Sequence, residues 1–519
     1  MLGVVDRAIL QVLHDAGWPS NLDPIIVKLC DANRAGHTVV PVSEQEYAAL
    51  SMCTALVQES PGRGLLTLTD KWLAFERHAA QEARIADWFL ERVDQTTLSP
   101  AIELNQLMPH ADGSQQDAIM HALTHQTSLI LGGPGTGKTT TAAAMIVAHR
   151  LAAPADFERI QLLAPTGKAA VRLTESLWQA IQAMPIASEL IASIPRSART
   201  IHSQLRSLDE AQLVLVDEAS MISVELMDQL LAALPRSAKV IWLGDPNQLA
   251  SVEAGHVLES LATHPHTAPL RITLNRRHRI EGDQWLSALQ DHTLAGNAEA
   301  LESCLRDRNA LVNPDDRATI AHVLEEGYRE YFEAWAGGET PESCEFQCLA
   351  AIQRGPQGID VLNQWVSTLS HRYGLAGRGT RILVTENQPH LGLYNGDIGV
   401  VLDTDHVSTR MLRFGIGNPQ ITLNQLSRPM LAYALSIHRS QGSEYRDVLI
   451  ALPSHRTLKH AQVTREMLFT AMTRAKRQVT LWAHPDDLKK ALGTRTRRFT
   501  GLPDFLDMRY PHRKSLTLR

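Results

Sequence analysis

Long apolar runs are missing from this chain. Its 519 residues contain no stretch of about 18 or more apolar residues, so a membrane-spanning helix is not expected. The segment from Met1 to Ala16 lacks a basic stretch followed by an apolar run and a small-residue cleavage site. It reads as mature sequence of a cytoplasmic protein. Cysteine is scarce and scattered: Cys30, Cys53, Cys304, Cys344 and Cys348 include no C-x-x-C pair. That spacing argues against a disulfide scaffold, a four-cysteine metal centre and an iron–sulfur cluster. There are no repeats at a fixed period and no low-complexity segments. An overall positive charge is also absent. The net charge of −6 does not by itself announce a nucleic-acid binder.

What is present is ordinary in bulk and uneven in detail. At 44% hydrophobic and 20% charged the composition is that of a globular protein, and the length implies two to four domains. Residues 1–130 carry 8 Lys+Arg against 16 Asp+Glu, whereas residues 454–519 carry 15 against 5. Contact with phosphates is therefore expected at the C-terminal end rather than the N-terminal end.

Residues 1–105 read as mainly helical, with apolar residues at helical spacing in 6–13 and 79–93 and one short strand candidate at 64–69. A polar stretch, 108–114, separates them from a different pattern. From there short apolar strands alternate with helices. Thr127 to Leu131, Ile160 to Ala164, Leu213 to Val216 and Val240 to Leu243 each end in a polar or Gly-rich loop. Phe346 to Ala350, Asp447 to Ala451 and Val479 to Ala483 form a second set. Such strands predict two open, parallel α/β sheets. Between members of the second set, the Asn395-Gly396 pair flanked by apolar runs predicts a hairpin in a small β insertion.

The segment Gly132-Gly133-Pro134-Gly135-Thr136-Gly137-Lys138-Thr139 follows a strand and opens a helix. Its glycines let backbone N–H groups curl round phosphates. Lys138 supplies positive charge to them, and the Thr139 hydroxyl can ligate Mg²⁺. A second strand ends in Asp217-Glu218. Asp217 is suited to holding Mg²⁺ and Glu218 to activating the attacking water. A third ends in Gly244-Asp245-Pro246-Asn247-Gln248, where Gln248 can sense the terminal phosphate. Arg279 and Arg474 are candidates for stabilising the charge that develops in phosphoryl transfer; no spacing rule picks out either.

The ordered set of motifs resembles a superfamily 1 helicase. Gln115 resembles the adenine-reading glutamine, with Thr140 beside the P-loop threonine. The stretch 164–170 resembles motif Ia, Asp217 to Ser220 motif II, Gly244 to Leu249 motif III, 435–444 motif V, and 469–476 motif VI. The stretches 132–141, 164–176, 216–222, 249–255 and 495–502 are more similar still to the RecD-type helicases. The sequence departs from the pattern at His278, where an aromatic normally precedes the motif IV arginine, and at Gln353, where a basic residue is expected.

The resemblance implies two RecA-like P-loop domains, 106–268 and 269–375 with 428–519. It also implies an SH3-like β insertion at 376–427 and a helical docking domain at 1–105. It implies ATP and Mg²⁺ as cofactors. Gly442 and Glu444 join the nucleotide site, and Thr166, His202, Ser436 and His438 join a single-stranded DNA track. The implied activity is 5′→3′ DNA translocation and unwinding, as one subunit of a heterotrimer with RecB-like and RecC-like partners that processes double-strand breaks. The alternatives are a stand-alone RecD-like helicase, a structural subunit with a dead ATPase, and a nuclease. Lys138, Asp217, Glu218 and Arg474 are intact, which argues against a dead ATPase. No carboxylate cluster outside Asp217-Glu218 suggests a nuclease.

Overall fold

The computed structural model describes residues 3–62, 64–96, 107–152, 159–276, 284–341, 343–402, 411–414, 420–454 and 463–514. Four sheets organise them. The sequence-predicted strands of the first α/β unit all form. In spatial order the sheet runs Arg271–Leu274, Thr127–Gly132, Lys239–Gly244, Leu213–Val216, Ile160–Ala164 and Arg199–Thr200, every pairing parallel. Its central strands are buried throughout, as a parallel sheet covered by helices on both faces requires. The loops at the C-terminal ends of these strands therefore gather at one edge. The P-loop, motif Ia, motif II and motif III all lie there.

The second unit repeats the plan. Its parallel order is Leu311–Val312, Ala475–Trp482, Tyr445–Ala451, Phe346–Ala350 and Ala434–Ser436. Inserted in it is an antiparallel sheet ordered Ile421–Thr422, Met411–Arg413, Ile398–Val401, Arg381–Leu383 and Met430–Leu431. Val384, Val401, Leu412 and Phe414 fill its core. The Asn-Gly pair does not make a two-residue hairpin here. Tyr394 to Asp397 form a turn closed by Asp397 N donating to Tyr394 O at 3.0 Å, with Gly396 at φ +100°, the position that demands glycine in a type II turn. The strands it serves, Arg381–Leu383 and Ile398–Val401, pair further back.

The N-terminal region has helices Val4–Asp15, Asp23–Arg34 and Glu44–Ser51, the last opened by a reciprocal Ser43–Glu46 capping box. These cover a mixed four-stranded sheet of Val39–Pro41, Trp72–Phe75, Leu66–Leu68 and Val57–Gln58. Of that sheet only the 64–69 stretch is legible in the sequence.

The helix Glu76–Leu90 belongs physically to the first α/β unit. Ile85, Ala86 and Phe89 are buried in one core with Leu230 and Trp242, and the Phe89 and Trp242 rings lie 5.8 Å apart. The last helix, Leu502–Lys514, returns to the same place. Phe505 and Leu506 join that core, and Trp72 Nε1 donates to Asp504 at 2.8 Å. The expected segments 1–105 and 428–519 thus each send a helix into the first α/β core.

Candidate functional site

The phosphate loop joins a buried strand to the helix Lys138–Ala152. Gly135 and Gly137 have φ of +75° and +80°, so the loop curls in a way L side chains rarely allow. A Cβ at Gly132 would lie 2.5 Å from the Thr136 hydroxyl, which itself donates to Gly133 O at 2.9 Å. Lys138 folds over the loop, its ammonium donating to Gly132 O at 2.7 Å and Gly133 O at 2.9 Å. That places a fixed positive charge at the mouth of an anion cradle. Thr139 is half-buried and Thr140 exposed on the first turn.

Two further strand ends bring carboxylates to this cradle. Burial pushes the Asp217 carboxyl up to about 6, helped by the neighbouring charge of Glu218, while Lys138 and Arg172 pull the other way. Glu218 sits at φ 54°, ψ 42°, a left-handed conformation costing roughly 1–2 kcal/mol for a residue with a Cβ. Its backbone amide donates to Asp217 Oδ1 at 2.8 Å, which orients the Asp217 carboxylate. Asp245 is buried, and burial raises its pKa against the pull of Lys138. Its carboxylate accepts from Asn247 N at 3.0 Å and from Gln248 Nε2 at 3.1 Å.

Gln248 is the bridge to the second unit. Its Oε1 accepts from Arg474 Nη2 at 3.3 Å. Arg474 is buried, and its other donors go to Thr470 O, Ser443 O and Thr473 Oγ1 at 3.0–3.1 Å. Burial lowers its pKa, and the Glu218, Glu444 and Asp245 charges offset this. Leu249 N donates to Thr470 Oγ1 and Leu249 O accepts from Gln441 Nε2, both at 3.0 Å. Gly442 lies against Ala169, where a Cβ would find Ala169 Cα 3.8 Å away. Glu444 pairs with Arg172 at 2.6 Å across the same boundary. Motifs III, V and VI are thus locked together beside the phosphate cradle.

Other expected site residues have local structural duties. Gln115 caps its own helix, its Oε1 accepting from Asp112 N at 3.1 Å. The Thr166 hydroxyl accepts from Ala169 N at the start of the motif Ia helix, and the Ser436 hydroxyl from Arg439 N. His202 is exposed on the short helix Ile201–Gln204. His438 is half-buried, and burial together with the Arg498 charge lowers its pKa. Arg279 lies outside the described residues.

Arg172 was not anticipated. It stands four residues after Lys168 on the motif Ia helix, and that one-face spacing was the available signal. Part of the C-terminal positive charge is spent inside the chain. Arg465, Arg474, Arg477, Arg498 and Arg509 all bind this chain's own carbonyls or carboxylates.

Thr139 and Asp217 offer hard oxygen donors, one hydroxyl and one carboxylate. This is a small protein set of the kind that holds Mg²⁺ together with a phosphate. A P-loop with its acidic pair on one parallel sheet, facing a buried arginine on a second, defines a superfamily 1 helicase core. Comparison with known proteins agrees. Residues 110–313 match the AAA domain family model, and residues 431–482 match the UvrD-like helicase C-terminal domain. The chain is 30% identical over 469 residues to the RecBCD enzyme subunit RecD of Mycolicibacterium smegmatis, covering 84% of this chain and 83% of that one. It is 30% identical over 506 residues to that of Mycobacterium tuberculosis strain H37Rv, covering 91% and 86%. The ATP-dependent RecD2 DNA helicase of Deinococcus radiodurans is matched at 30% identity over 85% of this chain and 62% of its own length. A solved Pif1 helicase from Bacteroides, in complex with ADP-AlF3 and ssDNA, aligns over 77% of this chain and 97% of its own, with 16% identity and a TM-score of 0.42. The chain belongs to the RecD family.

Proposed function

We propose that this chain is an ATP-dependent 5′→3′ DNA helicase and translocase, acting as the RecD-type subunit of a RecBCD helicase–nuclease that processes double-strand breaks for homologous recombination. The observation that carries the motor reading is the link Asp245–Gln248–Arg474, which ties the phosphate-side edge of one α/β unit to the buried arginine of the other. Lys138 binds the β- and γ-phosphates in place of the two loop carbonyls, and Gln115 contacts the adenine. Thr139 and Asp217 hold Mg²⁺, which supplies charge neutralisation to the phosphates when bound. Glu218 orients and deprotonates the attacking water. Gln248 reads the terminal phosphate and passes its loss to Arg474, with Arg279 as the second arginine and Gly442 and Glu444 completing the far wall.

ATP closes the two units because arginines on one side meet phosphate held by the other, and hydrolysis releases them. Thr166, His202, Ser436 and His438 grip single-stranded DNA in alternation, which turns closure into steps. The remaining subunits are RecB-like and RecC-like, with nuclease activity on a partner. The described residues contain no helix long and apolar enough to cross a membrane. We place the protein in the cytoplasm, with segments 106–268 and 269–375 plus 428–519 as the motor domains, 376–427 as the β insertion and 1–105 as the docking region.

The test is steady-state ATP hydrolysis with and without single-stranded DNA. DNA should stimulate the parent. Lys138→Gln should abolish turnover with the fold intact, and Glu218→Gln should bind ATP without hydrolysing it. Normal turnover in Lys138→Gln would overturn the site. Co-purification with RecB-like and RecC-like subunits separates the complex from the stand-alone alternative.

A further inference from the structure

We propose that Arg498 is a positioning residue for the phosphate-sensing loop, within a C-terminal strap that ties the N-terminal domain to ATP hydrolysis. After the helix Pro485–Gly493, residues 494–500 form neither helix nor strand and leave the second α/β unit. They run behind the loop that continues from Gln248. Thr496 anchors the start, its amide and hydroxyl both donating to Glu466 Oε2 at 2.9 Å. The Arg498 guanidinium then donates to Glu253 O at 2.6 Å and Gly255 O at 2.8 Å, and also to Ser251 O. One planar fork thus holds three carbonyls of one loop.

The N-terminal domain closes over the same arginine. Gly36 has φ +87°, and a Cβ there would lie 2.8 Å from Arg498 Cζ. Gly36 O accepts from Gly255 N at 2.9 Å. The next strap residue binds that domain directly: Phe499 N donates to His37 Nδ1 at 2.8 Å, and Phe499 O accepts from Thr38 N at 2.9 Å. Glu82, fully buried, receives Gly501 N at 2.9 Å and Thr38 Oγ1 at 2.8 Å, which fixes the strap's far end.

The sensing loop is therefore held at both ends. Gln248 and Leu249 bind Arg474, Thr470 and Gln441 of the second unit. Ser251, Glu253 and Gly255 bind Arg498 and the N-terminal domain. Slack at the Arg498 end reaches Gln248 through only a few backbone bonds. A displacement at Gly36–Thr38, such as a partner docking on the N-terminal domain would cause, has the same route to the site.

This inference rests on reading Gln248 as the phosphate sensor, and the experiment keeps the two apart. DNA-stimulated ATP hydrolysis by the full chain is measured for the parent, Arg498→Ala, Arg498→Lys and Gln248→Ala, with melting curves for each. Arg498→Ala should lower kcat about tenfold and leave KM for ATP within about twofold, because the phosphate cradle is untouched while the sensor is misplaced. Arg498→Lys should recover part of the loss, since an ammonium cannot span three carbonyls as a guanidinium fork does. A merely structural arginine would lower the melting temperature and leave kcat of the folded fraction at the parental value, and that result overturns the proposal. If Arg498→Ala does not fold, Arg498→Lys decides: reduced kcat in a folded sample supports positioning, and parental kcat overturns it. Slow Gln248→Ala beside normal Arg498 variants removes the strap's role alone. Parental kcat in Gln248→Ala removes the sensor reading and the inference with it.

Discussion

Arg474→Lys distinguishes a structural arginine from a charge-stabilising one. The parental guanidinium donates to Thr470 O, Ser443 O, Gln248 Oε1 and Thr473 Oγ1. Lysine keeps the charge but loses the planar fork, so at least one of these bonds goes. A charge-assisted bond contributes about 1.5–3 kcal/mol net, and burying the more strongly hydrated ammonium costs no less than burying the guanidinium. The net loss of stability is then about 1.5–3 kcal/mol, or roughly 3–12 °C in the melting of a unit this size. If Arg474 also meets the transferring phosphoryl group, the kinetic loss is far larger. An arginine in that role accounts for about 10³–10⁵ in kcat, which corresponds to roughly 4–7 kcal/mol of barrier. The assay is DNA-stimulated hydrolysis at saturating ATP alongside thermal melting. A kcat reduced at least about 10³-fold with a melting shift within that range is expected. A kcat within about tenfold of the parent, at the same melting shift, would leave Arg474 as an interdomain strut and refute the assignment.

Three other outcomes are expected. Burial pushes the Asp217 carboxyl up to about 6, and in its proposed role as a Mg²⁺ ligand it would act ionised. Thus kcat/KM for ATP should rise with pH through about 6 and level off above about 7, and a flat profile down to about pH 5 would contradict it. Burial raises the Glu82 carboxyl to about 7 from 4.5. Its contribution to stability is therefore full below pH 4.5 and lost as pH rises through about 7, roughly 3 kcal/mol in all. Parental melting should fall between about pH 4.5 and pH 7 and level off above that, and Glu82→Gln should flatten the slope; parallel slopes would contradict the assignment. Phe89→Ala, in the shared core against Trp242, should cost about 3–5 kcal/mol and destabilise the ATPase unit. An unchanged ATPase melting transition would restore Glu76–Leu90 to an independent N-terminal domain.

The parallel sheets were legible because buried strands ending in glycine or carboxylate carry both a packing signal and a chemical one. Leu213–Val216 followed by Asp217-Glu218 is the clearest case, and observed and expected limits coincide. The N-terminal sheet was mostly invisible. Its strands are two to four residues long, too short to show alternation. The helix Glu76–Leu90 was visible, but its partner core was not, since periodicity gives a buried face without naming what covers it. Charge counting likewise shows where positive charge lies in the chain and not what it meets. Arg477 and Arg509 raise the local net charge, yet Asp447 and Asp87 receive them. Arg474 could be named from the motif alone. Its bond through Gln248 to Asp245 needed the fold, because these residues are distant in sequence and meet only where two units touch.

Strand displacement by the purified chain reads out both the motor and its direction. Two duplexes are compared, one with a 5′ single-stranded tail and one with a 3′ tail, each with and without ATP. ATP-dependent unwinding from the 5′ tail alone, abolished in Lys138→Gln, is expected. Unwinding from the 3′ tail, or unwinding that survives in Lys138→Gln, would contradict the proposed function.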